Sequence, residues 1–97
     1  MINFAPNTYL GDKAVATGSN TVVALLPCGQ DVCVVPTVDC YAIFTATTST
    51  VPGSTNAMRL PAGIMAILRS SHAQGTSLVV RAVSTSGVIN VTLGGGQ

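Results

Sequence analysis

The chain has 97 residues, of which 47% are hydrophobic and 7% are charged, and its formal net charge at pH 7 is +1. This length fits one domain with a single modest core. The near-neutral charge excludes a strongly basic surface of the kind that attracts nucleic acid or an anionic membrane.

A monomer with so few charges has little protection against association. We therefore expect much of its surface to be covered by other protein, as in a homo-oligomer. The alternative is a soluble monomer coated with Ser, Thr, Asn and Gln. No apolar run approaches the ~20 residues of a membrane-spanning helix, and the start, MINFAPNTYL, lacks the positive region of an export signal. We expect no membrane partner and synthesis in the cytoplasm.

The first twelve residues, MINFAPNTYLGD, differ from the rest of the chain. Ile2, Phe4, Tyr9 and Leu10 are isolated apolar residues among Pro, Asn and other polar residues. This pattern favours an extended N-terminal arm over residues 1–12, whose single apolar side chains contact a partner. The alternative is a frayed terminus that folds back on the domain. Residues 13–97 then form a single β domain.

The rest of the chain consists of short runs rich in Val, Ile and Thr, separated by turn signals that contain Gly, Pro, Asn and Asp. In chain order the runs are KAVAT, NTVVALL, VCVV, CYAIFTAT, AMRL, IMAILR, SLVVRAVS and GVINVTL. Runs of this length and composition are typical of β-strands. Pro61 and Gly63 interrupt the best helix candidate, NAMRLPAGIMAIL. The sequence therefore predicts an all-β protein, an antiparallel β-sandwich or a jelly-roll-like small barrel.

Several predicted strands carry apolar residues on both faces. In GVINVTL, the residues Ile89, Val91 and Leu93 share one face, opposite a more polar face. In SLVVRAVS, by contrast, Val79 and Arg81 lie opposite a second apolar row. The stretch LPAGIMAILRSS is also apolar on both faces, with Met65, Ile67 and Arg69 opposite Ile64, Ala66 and Leu68.

No helix is predicted that could cover these second faces, and an obligate interface resembles a domain core cut in half. We therefore expect subunit contacts to cover them. The side chains expected at a partner interface are Ile2, Phe4, Tyr9, Leu10, Met65, Ile67, Arg69, Val79 and Arg81.

The cysteines Cys28, Cys33 and Cys40 are odd in number, so they cannot form a complete disulfide framework. A zinc site with His72 as fourth ligand is formally possible, but the spacing differs from the close ligand pairs of such sites. Free thiols that act as small hydrophobes are the favoured interpretation. We expect no metal and no cofactor.

Catalytic chemistry has little support in the sequence. His72 lies in the polar turn RSSHAQG beside Ser70 and Ser71, but no nucleophile elbow G-x-S-x-G is present. The basic residues are scattered and the aromatic residues few, so no stacking platform for nucleic acid is predicted. We expect neither an enzyme nor a nucleic-acid-binding protein.

The elements CYAIFTAT, LPAGIMAILRSS and GTSLVVRAVSTSGVINVTLGG follow one another between Cys40 and Gly95. In this order, with a Ser/Thr/Asn-rich loop after the first, they resemble a class of short, uncharged β proteins in the virions of tailed bacteriophages. Members of that class are taken to be capsid decoration (cement) proteins or related small virion components. The likeness rests on pattern and covers residues 40–95.

The resemblance implies a non-enzymatic structural protein on the capsid surface of the virion, assembled in the host cytoplasm. Its partners would be the major capsid protein and further copies of itself, as a trimer or dimer. The alternative is a tail-associated or fibre-associated virion module that binds a host glycan or another virion protein.

Overall fold

The protein is described from a computed structural model that covers residues 4–26, 30–69 and 76–96. These residues form strands and no helix. The strands are β1 (Phe4–Val15), β2 (Thr21–Leu26), β3 (Gln30–Pro36), β4 (Cys40–Thr45), β5 (Met58–Leu60), β6 (Ala66–Arg69), β7 (Thr76–Ala82) and β8 (Gly87–Gly96). Each run predicted from the sequence overlaps one of them, and the prediction of an all-β fold is confirmed.

The strands form two antiparallel sheets of four. The first sheet has the order β1-β8-β3-β6, and the second sheet has the order β2-β7-β4-β5. Strands pair from the outside of the chain inward: β1 with β8, β2 with β7, β3 with β6, and β4 with β5. This nested pairing is the strand order of a jelly roll, in which a long folded ribbon is wrapped into two facing sheets.

The core lies between the two sheets, and its most frequent residue is valine, whose branched side chain packs well on a pleated surface. The first sheet contributes Ile89 and Val91, and the second contributes Leu78 and Val80, all fully buried. The predicted core face of β8 is therefore confirmed. Burial of each such side chain stabilises the fold by roughly 1.5–3 kcal/mol, which is the main stabilising contribution in a chain with few charges.

The N-terminal segment corrects one expectation. Residues 4–12 are extended, but they are not a separate arm, because β1 pairs with β8 from Phe4 opposite Gly96 to Val15 opposite Gly87. Leu10 packs against the core of its own domain. Ile2 lies outside the described residues.

The physical reason for this difference is that β1 is irregular. Its register shifts between Pro6 and Thr8 and again between Tyr9 and Gly11, and Gly11 has a φ of 81°. A bulge with a glycine in this conformation adds a residue to one strand and breaks the alternation of faces. The two-residue period that identifies a strand is therefore absent from this part of the sequence.

The crossover from the second sheet to the first, between β5 and β6, is held by Asp39. One carboxylate oxygen accepts a hydrogen bond from the backbone N–H of Ala62 at 2.8 Å, and the other accepts one from Arg59 at 2.9 Å. Gly63, with a φ of 75°, donates its N–H to the carbonyl of Pro36 at 2.8 Å. The Ala62 N–H, and after it the Arg59 guanidinium, hold the pKa of Asp39 below its ordinary value of 3.8.

This lowered pKa predicts a loss of stability in acid. Because the unfolded chain binds the Asp39 proton at a higher pH than the folded chain does, the stabilisation is present above pH 3.8 and is lost as the pH falls through the lower folded pKa. Thermal unfolding followed by circular dichroism should show a smaller drop in melting temperature for Asp39→Asn than for the wild type over this acid range. An equal drop for both would contradict the role of Asp39.

Candidate partner-binding face

The second sheet turns an apolar outer face away from the core. Val79 lies on this face, with Val22 of β2 and Ile43 of β4 directly opposite it on the two neighbouring strands. Val79 has no exposed surface, although it lies outside the core cluster between the sheets. This face is therefore already covered at Val79 within the single chain.

The hydroxyl-rich segment between β4 and β5, residues 46–57, is hydrogen-bonded to this side of the second sheet. Asn20 donates hydrogen bonds from its side-chain amide to the carbonyls of Thr48 at 3.1 Å and Thr50 at 2.9 Å. The oxygen of the same amide accepts a hydrogen bond from Arg81, which lies on the outer face of β7, at 3.1 Å. Asn20 thus fixes the loop to the outer face of the second sheet, and Pro52 of that loop is buried.

Two residues expected at a partner interface are therefore placed differently. Val79 is inaccessible to a partner, because its own chain covers it. Arg81 donates to Asn20 and also to the carbonyl of Thr17 at 3.3 Å, so its guanidinium is used within the chain. The sequence analysis missed Asn20, because no local pattern marks a residue that bonds a loop about thirty positions away.

Removal of this attachment should expose the outer face of the second sheet. Asn20→Ala loses both hydrogen bonds to the loop and one to Arg81, and we expect a loss of about 1–3 kcal/mol in the free energy of unfolding by urea. Binding of a hydrophobic dye should rise, because Val79 becomes accessible.

The matched control is Asn56→Ala, which removes only hydrogen bonds within the loop, from Gly53 N–H and to the carbonyl of Val51. This variant should leave dye binding unchanged. Equal dye binding by the wild type and Asn20→Ala would contradict the covering role of the loop.

The first sheet presents a different outer face. One row crosses all four strands, from Tyr9 through Thr92 and Cys33 to Ile67, each residue directly opposite the next. Tyr9 is 66% exposed, and the other three side chains are partly exposed. Leu68 and Ala66 pack against the core instead, so the predicted orientation of Ile67 toward the outer face is confirmed.

The edge of this face beside β6 is apolar and open. Met65 is 60% exposed and Ile64 is 57% exposed, and both immediately precede β6 in the chain. They are the two most exposed large aliphatic side chains among the residues whose side chains the structure describes. We call Ile64, Met65 and Ile67 the β6 patch.

Arg69 holds the far end of β6 in place. Its Nε donates to one carboxylate oxygen of Asp31 at 2.8 Å and its Nη2 to the other at 3.3 Å, across the β3–β6 pairing. Asp31 is buried, whereas the Arg69 side chain is 56% exposed. This hydrogen-bonded ion pair raises the pKa of Arg69. Arg69 therefore supports the strand that carries the β6 patch and leaves part of its surface available to a partner.

The two described cysteines lie in different environments. Cys33 is on the outer face of the first sheet, whereas Cys40 points into the core from the second sheet, and both are free thiols. Burial raises the pKa of each thiol, and the nearby Asp39 carboxylate raises that of Cys40 further. A raised pKa disfavours the thiolate, which is the nucleophile and the metal ligand.

Several sequence expectations fall outside the part of the chain that the structure describes. Cys28, Ser70, Ser71 and His72 are among these residues, and the side chain of Phe4 is not described although its backbone belongs to β1. Within residues 4–26, 30–69 and 76–96, no group of three possible metal ligands, no cavity and no membrane-spanning helix is found.

The structure therefore separates the expected interface residues into groups. Tyr9, Ile67 and Arg69 share the outer face of the first sheet, with Met65 beside it, whereas Arg81 belongs to the other sheet.

Comparisons with protein-family models, with curated proteins and with solved structures find no match to this chain.

Proposed function

We propose that the chain is a non-enzymatic structural protein that binds other protein through the β6 patch, as a decoration protein on the capsid of a tailed bacteriophage. The observation that carries this proposal is that Ile64 and Met65 are exposed immediately before β6, the edge strand that carries Ile67. On the outer face of the second sheet, Val79 is buried and Val22 is 39% exposed, whereas Ile64 and Met65 of the β6 patch are 57% and 60% exposed.

The β6 patch is held in shape before a partner arrives. Asp39 fixes the crossover at Ala62, and the Asp31–Arg69 pair fixes the end of β6. A preorganised binding segment loses little conformational freedom on association, so more of the contact energy contributes to affinity. Two anchored ends around an exposed apolar stretch are therefore favourable for binding.

The strength of a single contact is modest. Each of the three apolar side chains contributes at most roughly 1.5–3 kcal/mol when it is fully buried, and association itself costs several kcal/mol. A repetitive lattice multiplies such contacts through avidity. The 7% content of charged residues supports the same proposal, because the centres of interfaces are depleted of charge.

The identity of the partner rests on the resemblance over residues 40–95. Jelly rolls occur in viral capsid proteins and also in lectins, and a fold by itself does not determine function. Within this proposal, the partners are the major capsid protein and further copies of the chain, as a trimer or dimer, and the site of action is the outer capsid surface.

The test replaces an apolar side chain of the β6 patch with a carboxylate. Ile67→Asp and Met65→Asp should fold normally by circular dichroism, because neither side chain belongs to the core cluster. An unpaired carboxylate buried at an interface costs several kcal/mol. A cost of about 3 kcal/mol weakens association by more than a hundredfold. Light scattering over a dilution series and co-sedimentation with empty capsids should both show the loss.

Two controls separate binding from folding. Val51→Asp places the same charge on a side chain that is 53% exposed in the loop of the second sheet, and it should leave association intact. Leu68→Asp places it against the core and should unfold the domain. Folded Ile67→Asp and Met65→Asp variants that still associate like the wild type would refute the proposal.

A further inference from the structure

Tyr9 is an exposed aromatic residue that the fold holds in a fixed position. Its ring is 66% exposed on the outer face of the first sheet. Its hydroxyl oxygen accepts a hydrogen bond from the side-chain amide of Asn90 at 2.8 Å. The ring also lies along the backbone of Gly11, where an added Cβ would be 3.8 Å from Cε2 of Tyr9. The hydrogen bond from Asn90 therefore holds the hydroxyl end of this exposed ring in place.

Polar groups lie at the hydroxyl end of the ring. The amide of Asn90 also donates to a carboxylate oxygen of Asp12 at 2.9 Å, so both of its N–H groups are used. Among the residues whose side chains the structure describes, none donates a hydrogen bond to the second carboxylate oxygen of Asp12 or to the amide oxygen of Asn90. Because the Tyr9 oxygen accepts from Asn90, its own proton is available for donation. The Tyr9 ring, two hydrogen-bond acceptors on Asp12 and Asn90, and the Tyr9 hydroxyl donor therefore lie close together.

This combination matches the chemistry of a neutral pyranose sugar. One face of a pyranose ring is a patch of C–H groups that packs against an aromatic face, and the hydroxyls around its rim both donate and accept hydrogen bonds. We propose that Tyr9, Asp12 and Asn90 form a binding site for a neutral saccharide. The Asp12 carboxylate accepts from sugar hydroxyls and disfavours anionic sugars, phosphate and nucleic acid by charge repulsion.

The saccharide site goes beyond the proposed lattice binding and is physically separate from it. Tyr9 and Ile67 lie at opposite edges of the first sheet, three strand spacings apart, which is roughly 14 Å. The Ile67→Asp variant, which should not assemble, keeps the saccharide site intact. Binding of sugar can therefore be measured without interference from assembly, and the failure of either proposal leaves the other standing.

The experiment is an NMR titration of the isotope-labelled chain, in the wild type and in Ile67→Asp. The probes are the neutral disaccharides lactose, maltose and cellobiose, with 3′-sialyllactose as the anionic counterpart of lactose. At least one neutral probe should cause saturable shifts of the Asn90 side-chain amide and the Tyr9 ring protons, with a dissociation constant of about 1 mM. Sialyllactose should bind more weakly than lactose if lactose is the probe that binds.

Three variants test the assigned roles. Tyr9→Ala should abolish the shifts, Tyr9→Phe should weaken binding severalfold because stacking remains while the hydroxyl is lost, and Asp12→Asn should weaken binding and reduce the discrimination against sialyllactose. Tyr41→Phe, on the other sheet, is the matched control and should bind like the wild type.

The inference is overturned if none of the neutral disaccharides shifts these signals at about 50 mM, because the binding site then has no measurable affinity. It is also overturned if the shifts persist unchanged in Tyr9→Phe and Asp12→Asn. These two variants change few atoms, so they test the site even if Tyr9→Ala does not fold.

Discussion

The structure depends on one constraint: several strands carry apolar side chains on both faces, whereas a two-sheet sandwich buries only the faces between its sheets. Ile89, Val91 and their neighbours fill that inner space. The outer apolar side chains need another cover, because exposed apolar area costs free energy roughly in proportion to its size. The outer apolar side chains of the two sheets are covered to different extents. Those that stay most exposed, beside β6, form the surface on which the proposed function rests.

On the second sheet, Val79 is buried within the chain, whereas the neighbouring Val22 is 39% exposed. Asn20 bonds the loop of residues 46–57 to the outer face, and Val79 has no remaining exposure. The first sheet keeps its outer row partly exposed, with Met65 and Ile64 beside its β6 edge. Asp39 holds the crossover that contains these two residues. They are therefore exposed on a segment whose position is fixed. The opposite edge carries Tyr9, held by Asn90.

The sequence predicted the strands and the core faces where alternation was regular. In β8 the period of two is uninterrupted, and Ile89, Val91 and Leu93 are buried as expected. In β1 two register shifts break that period, so its sequence indicates an extended arm where the structure has a paired edge strand. Long-range side-chain contacts left no local signal: Asn90 reaches Tyr9 and Asp12 only because the antiparallel β1–β8 register brings them together. For the same reason, no local signal shows that Val79 is buried within its own chain.

Hydroxyl-radical footprinting tests whether association covers the β6 patch. Met65 is 60% exposed and Met58, on β5, is 37% exposed, so both react with hydroxyl radicals in the dissociated chain. Met58 serves as the internal reference for Met65. The account predicts that Met65 oxidation slows strongly when the chain is assembled, whether with itself or on a capsid, while Met58 oxidation changes little. Oxidation of Met65 at the same rate in the dissociated and assembled states would contradict the account.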